Sequence, residues 1–159
     1  MKLYIKQRIF ALGDKYDIMD ENGNAYIHVE SEIFSFGAKI RLYDMNGNEL
    51  FYIEQKLFRF LPKYEIYKNN TLCASLRKEF TFFSPRLTID SDYGQFEIKG
   101  DLLGMDFDIL AGNNFIGSIS KEWFRLSDCY ELNIADTADD AFFCALTIAI
   151  DNCLHNGKG

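Results

Sequence analysis

The sequence predicts a mainly β protein: a closed antiparallel barrel of about twelve strands in tandem hairpins, enclosing one hydrophobic C-terminal α-helix. Three observations predict it: a repeat of about 24 residues, alternating triplets inside each copy, and an apolar run near the end of the chain. The repeat is read first. Ile9-Phe10-Ala11-Leu12-Gly13-Asp14-Lys15-Tyr16-Asp17-Ile18 returns as Ile33-Phe34-Ser35-Phe36-Gly37-Ala38-Lys39-Ile40-Arg41-Leu42 and again as Leu57-Phe58-Arg59-Phe60-Leu61-Pro62-Lys63-Tyr64-Glu65-Ile66. A weaker fourth copy runs from Phe80 to Ile89.

Each copy holds an apolar-polar-apolar triplet: Tyr16-Asp17-Ile18, Ile40-Arg41-Leu42, Tyr64-Glu65-Ile66 and Leu87-Thr88-Ile89, followed later by Phe107-Asp108-Ile109 and Tyr130-Glu131-Leu132. Alternation with period two sends one face inward and the other to water, so six half-buried strands are marked. Turn chemistry follows the first two at the same offset, as Asp20-Glu21-Asn22-Gly23 and Asp44-Met45-Asn46-Gly47. Asn-Gly tolerates the positive φ of tight hairpins. Asn69-Asn70, Tyr93-Gly94 and Gly112-Asn113 serve later copies. Partner strands fall near Ala25 to Glu30, Glu49 to Phe58, Leu72 to Glu79, Gln95 to Lys99 and Phe115 to Lys121, with Leu3 to Phe10 at the start. The total is twelve, over about residues 3–134. An open sheet of that size leaves long unpaired edges, and closing it removes them.

A barrel that wide needs a filling. Thr137-Ala138-Asp139-Asp140 fits a capped helix start, and Ala141 to Ile150 follows without a polar face. A helix apolar all round is buried in protein or in lipid. The run is about half of the ~20 residues that span a bilayer, so a buried helix over about 138–154 is expected, roughly 25 Å long.

These segments resemble a known family. Tyr4-Ile5-Lys6-Gln7-Arg8-Ile9-Phe10, Tyr52-Ile53-Glu54-Gln55-Lys56-Leu57-Phe58 running into Pro62-Lys63-Tyr64-Glu65-Ile66, and the terminal helix ending in Ala149-Ile150-Asp151 are similar to the LURP-one-related proteins, closest to their small bacterial members. The resemblance covers essentially the whole chain. It implies the fold of the tubby C-terminal domain and the phospholipid scramblases, a twelve-stranded barrel around a C-terminal helix. Tubby-like relatives bind phosphoinositides through basic side chains. The resemblance assigns no residue of this chain to that role, and small members of the family lack an established function. Fold alone does not carry function.

Composition bounds the rest. At 159 residues with 48% hydrophobic and 16% aromatic content, one domain with one core is expected. Cys73, Cys129, Cys144 and Cys153 have neither zinc spacing nor a disulfide framework, and charges interrupt the first residues where a signal peptide would need an apolar stretch. A reducing cytoplasm, no transmembrane segment and no cofactor are the expectation. The net charge of −7 argues against nucleic acid. Its distribution is uneven: residues 1–86 hold 13 Lys/Arg against 11 Asp/Glu, and residues 87–159 hold 4 against 13.

The repeat also aligns Lys15, Lys39, Lys63 and Arg86 just before the inward triplets, along one rim of a barrel, with Arg59 in the same set of loops. Such an arc accepts a lipid headgroup or another phosphorylated small molecule. The segment from Lys56 to Arg86 carries a net +5. The alternative is that these side chains solvate exposed strand starts, neutralised by neighbours such as Asp14. The Asp/Asn-rich turns miss the register of a calcium loop. His28 and His155 lack metal spacing, no triad or nucleophile motif appears, and Trp123 and the phenylalanines read as packing. The expectation is a noncatalytic binding module for an anionic small molecule or lipid headgroup. A protein-interaction or structural module is the alternative, and an enzyme is the third class.

Overall fold

Alternation of apolar and polar residues builds twelve strands in the computed structural model, which describes residues 1–6, 14–34, 37–57, 60–79, 81–122 and 129–155. They are β1 (Lys2–Lys6), β2 (Asp14–Asp20), β3 (Ala25–Phe34), β4 (Gly37–Tyr43), β5 (Glu49–Lys56), β6 (Lys63–Lys68), β7 (Thr71–Glu79), β8 (Arg86–Ser91), β9 (Glu97–Asp101), β10 (Asp106–Ala111), β11 (Asn114–Glu122) and β12 (Cys129–Ile134). One helix, α1 (Asp140–His155), follows. In five of the six triplets an inward residue is buried while the polar middle residue is not. Ile40 and Leu42 flank Arg41, Tyr64 and Ile66 flank Glu65, and Phe107 and Ile109 flank Asp108.

The turns form as their residues require. The Asp20 carboxylate accepts from the Asn22 and Asn24 amides at 2.9 and 2.8 Å, and Gly23 takes φ 82°. Asp44, Asn46, Asn48 and Gly47 repeat the arrangement. Asn69 and Asn70, both at positive φ, make the two-residue turn between β6 and β7. A register shift follows the same repeat position four times, after Ile18, Leu42, Ile66 and Ile109. An irregularity of this kind bends its strand and raises the local twist. Present in four of the six copies, it curls the sheet about the helix.

The expected closed barrel is not what forms. All twelve strands belong to one antiparallel sheet in the order β8-β7-β6-β5-β4-β3-β2-β1-β12-β11-β10-β9, whose two ends, β8 and β9, do not pair with each other. The connection between them turns aside to cover the helix. Tyr93 stacks on Phe142 with ring centroids 4.0 Å apart, and Phe96 meets Phe143 edge-on at 5.2 Å. Both end strands are short and carry outward charges at Asp90, Glu97, Lys99 and Asp101, which disfavours pairing with a like edge.

The helix fills the hollow, and every residue from Phe142 to Leu154 is buried. It packs against β5, β6, β7 and β12. Its start lies two residues beyond the capping threonine expected at Thr137: the Asp139 carboxylate accepts the Phe142 amide at 2.9 Å, and the Tyr26 hydroxyl donates to Asp140 at 2.6 Å. A carboxylate at this position satisfies an orphan amide and complements the helix dipole.

Gly100 is where backbone geometry is tightest. Its φ is 139°, and a Cβ there would lie 2.5 Å from the Asp106 carbonyl oxygen and 2.8 Å from the Phe107 Cα, both backbone atoms of the paired strand. Gly100→Ala is therefore expected to lower the stability by about 1–3 kcal/mol, read as a shift in the urea midpoint.

Candidate functional site

The strands run between two ends of the sheet. One end carries the tight turns at 21–24, 44–48, 69–70 and 112–113 and the start of α1. The other carries the described residues 57, 60–62, 81–85 and 102–105 of the remaining connections and the end of α1. Lys15, Lys39, Lys63 and Arg86 all lie toward the second end, as the repeat implies, and their inward neighbours Tyr16, Ile40, Tyr64 and Leu87 set them on the outer face. Arg59 lies outside the described residues.

Their spacing follows from the register. Lys15 stands opposite Glu30 and Lys39 opposite Glu32; Lys39 stands opposite Glu54, while Lys63 stands opposite Lys56. Lys63 pairs with Arg77 and Arg86 with Glu79. Each member thus steps two residues further along and two strands across, which separates neighbours by about 12 Å. The result is a diagonal stripe on the outside of the sheet.

Carboxylates occupy the same stripe. The Lys15 ammonium is 3.0 Å from Glu30 and the Lys63 ammonium 2.9 Å from Glu65. Lys56 lies 3.3 Å from Glu54 and 3.4 Å from Glu65, and the Tyr67 hydroxyl also donates to Glu65. Partial burial pushes the Glu65 carboxyl up, but the hydrogen bonds from Tyr67 and Lys63 and the Lys56 charge outweigh it and hold it below the usual range. Arg41 covers the Tyr52 ring at 4.7 Å. Much of the basic charge on this face is answered locally.

The feature that sequence reading missed is aromatic. Phe60 and Phe82 are 96% and 89% exposed and Phe83 is fully exposed, against the expectation that the phenylalanines serve packing. Phe60 lies between β5 and β6, and Phe82 and Phe83 between β7 and β8. The Lys78 amide near the end of β7 donates to the Pro62 carbonyl at 3.1 Å and holds the first connection against that strand. Leu61, Lys78, Phe82, Phe83, Pro85 and Leu103 line an open hollow of about 400 Å³ there. The legible signal was Phe82-Phe83 followed by Ser84-Pro85: consecutive rings cannot both face inward from an extended chain, and proline ends pairing.

Inside the same end lies a polar cluster. The Tyr130 hydroxyl donates to Asp151 at 2.9 Å, and Asp151, on the helix, is 4% exposed. His155 faces Asp151 through Nδ1 at 3.0 Å and the Leu103 carbonyl through Nε2 at 3.0 Å. The hydrogen bond to Asp151 holds the imidazole pKa above its ordinary value against the opposing effect of burial. Ile5, Tyr16, Ser31, Tyr130, Asp151 and Asn152 line a cavity of about 20 Å³ beside it, enough for one water molecule. Burial and the Asp151 charge push the Tyr16 phenol well up.

The thiols have the environment of packing residues. Burial pushes Cys73 up, Cys153 up to about 11 and Cys144 well above the usual thiol range, which suppresses the reactive thiolate. His28 lies between Asp17 at 2.7 Å and Glu30 at 3.5 Å. Among the described residues no group of three or more His, Cys, Asp or Glu side chains has the geometry to hold a metal ion. No helix among them is long and apolar enough to cross a membrane.

The LURP-one-related family model matches residues 1–151. The chain belongs to the LURP-one-related family. Within it, the chain is 34% identical over 154 residues to the uncharacterised protein YxjI of Bacillus subtilis strain 168, covering 97% of this chain and 79% of that one. The fold is similar to the crystal structure of an Arabidopsis thaliana protein, with a TM-score of 0.63 at 16% identity over 95% of this chain and 90% of the other. These likenesses agree with the resemblance carried by the Tyr4 and Tyr52 segments and the terminal helix.

Proposed function

We propose that this LURP-one-related chain is a noncatalytic module that docks on anionic lipid surfaces through the 57–62 and 80–85 connections. The observation that carries the reading is the exposure of Phe60, Phe82 and Phe83 on two connections at one end of the sheet, within a segment of net charge +5. Exposed apolar patches rimmed by charge are the mark of interaction surfaces. Aromatic rings enter the headgroup region of a bilayer, and lysines and arginines nearby add about 1 kcal/mol each toward an anionic surface. Asp92, Asp136, Asp139 and Asp140 lie toward the opposite end, with the tight turns and the start of α1, and their repulsion from the same surface favours docking through the aromatic end.

A membrane surface is favoured over a free phosphorylated ligand by the stripe itself. Lys15 and Lys63 are paired with carboxylates, the stripe is spread over the outer face, and its members are too far apart to converge on one small phosphate. Burying three phenylalanines at even half of the roughly 1.5–3 kcal/mol available per ring gives about 3 kcal/mol, or two decades in affinity.

Sedimentation with vesicles tests this. The wild-type protein is expected to pellet with vesicles of phosphatidylcholine and phosphatidylserine, to be released by high salt, and to ignore soluble inositol phosphates as competitors. A variant with Phe60, Phe82 and Phe83 all changed to serine is expected to bind about a hundredfold more weakly. Equal binding of wild type and variant overturns the reading, as does indifference to the anionic lipid. Displacement by the soluble phosphates transfers the site to a small-molecule ligand.

A further inference from the structure

The sheet stops before its core is fully covered. One strand in from each end, the inward residues are closed off: Ala74 and Leu76 on β7, Phe107 and Ile109 on β10. On the end strands they are not, and Leu87 and Ile89 of β8 and Ile98 of β9 pack against the core while remaining partly exposed. Among the described residues each end strand is paired on one side alone, β8 to β7 and β9 to β10. Two ladders of backbone donors and acceptors therefore end at one seam, above apolar side chains that a further strand would cover.

We propose that the seam between β8 and β9 accepts one extended segment of a partner protein as an additional strand, with apolar residues inward and Lys or Arg outward. Strand addition gains affinity from main-chain hydrogen bonds and specificity from alternate side chains. The connection at 92–96 permits it: six Cα steps from Ser91 to Glu97 reach about 20 Å, and strands flanking a third lie roughly 10 Å apart.

The charge on the seam selects the occupant. Asp90 and Glu97 are each 68% exposed, and Asp101, Asp106 and Asp108 continue the acidic row on the outer face. Of the cations on this face, Lys99 sits 3.7 Å from Glu97, Arg77 of β7 lies 3.9 Å from Asp90 and Arg86 stands opposite Glu79, which leaves Asp101, Asp106 and Asp108 as the acidic excess. Opposite charges across a strand pair stabilise and like charges destabilise. A second copy would bring its own acidic edge to this one, so self-pairing is disfavoured and a basic alternating segment is matched. The inference is independent of the membrane reading, which concerns different connections and the opposite sign of charge.

The probe is a fluorescent nine-residue peptide of alternating lysine and valine, followed by anisotropy and by hydrogen exchange. Saturable binding with slowed exchange at 86–91 and 97–101 is expected. Binding is expected to fall at least tenfold for the glutamate–valine peptide, for a lysine–valine peptide N-methylated at alternate residues, and for the Asp90→Lys/Glu97→Lys double variant. Both substituted positions are exposed, which leaves the fold intact. Absence of saturable binding overturns the proposal, as does equal affinity for the N-methylated peptide or unchanged exchange in β8 and β9 when the peptide is bound.

Discussion

Ala145→Asp is expected to abolish cooperative folding. Ala145 has no exposed surface, and its neighbours Cys144, Leu146, Ala149 and Ile150 are equally closed to solvent. An ionised carboxylate there would be stripped of water with no cation to answer it. Protonation avoids the charge, yet a neutral carboxyl without hydrogen-bond partners still costs about 2–7 kcal/mol, and the added bulk in a filled hollow costs roughly 1–3 kcal/mol more. The sum is comparable with the roughly 5–15 kcal/mol that holds a domain together. Thr137→Asp, just outside the helix on the exposed surface, is the control, expected to shift stability by about 0.5 kcal/mol at most. Circular dichroism through a urea titration separates the two. A cooperative transition for Ala145→Asp at the wild-type midpoint would remove the helix from the interior.

The second large effect is expected at Asp151, whose carboxylate serves two other side chains. Asp151→Ala removes the carboxylate that the Tyr130 hydroxyl donates to and that faces the His155 imidazole. Breaking a buried pair in this way costs about 3–5 kcal/mol. The same pair makes stability depend on pH. Both ring nitrogens of His155 face acceptors, so the cation satisfies the site fully, and its folded pKa lies above the ordinary value. A raised pKa means that the folded state holds the proton more tightly than the unfolded chain. The stabilisation is therefore complete below the unfolded pKa, near 6.5, and is lost as pH rises through the folded value. Urea midpoints measured from about pH 5.5 to 8.5, the window in which histidine titrates, are expected to fall with pH in the wild type. The Asp151→Asn protein should lose most of that slope.

Sequence carried the strands well, because a triplet such as Tyr64-Glu65-Ile66 reports directly which side chains face the core. It carried the turns for the same local reason: Asp44, Asn46, Asn48 and Gly47 hold one another within five residues. Closure was not legible. Alternation within a strand fixes a face, whereas pairing of β8 with β9 depends on what the connection does, and Tyr93 and Phe96 go to the helix. The buried role of Asp151 was not legible, since its partner Tyr130 is 21 residues away. The aligned basic residues lie toward one end of the sheet. The pairing of Lys15 was hidden, because Glu30 comes from a partner strand whose register only the folded sheet sets, whereas Lys63 meets Glu65 of its own strand. Phe82 and Phe83 were missed because aromatic content was credited to the core as a whole.

Which end of the sheet meets a lipid surface is read most directly by hydrogen exchange of the vesicle-bound protein. Amides at 60–61, 81–84 and 102–105 are expected to exchange more slowly on phosphatidylserine vesicles than in solution, while those of the turns at 21–24, 44–48 and 69–70 stay unchanged. Protection of the turns, with the Phe60, Phe82 and Phe83 connections still exchanging freely in fully bound protein, would contradict docking through the aromatic end.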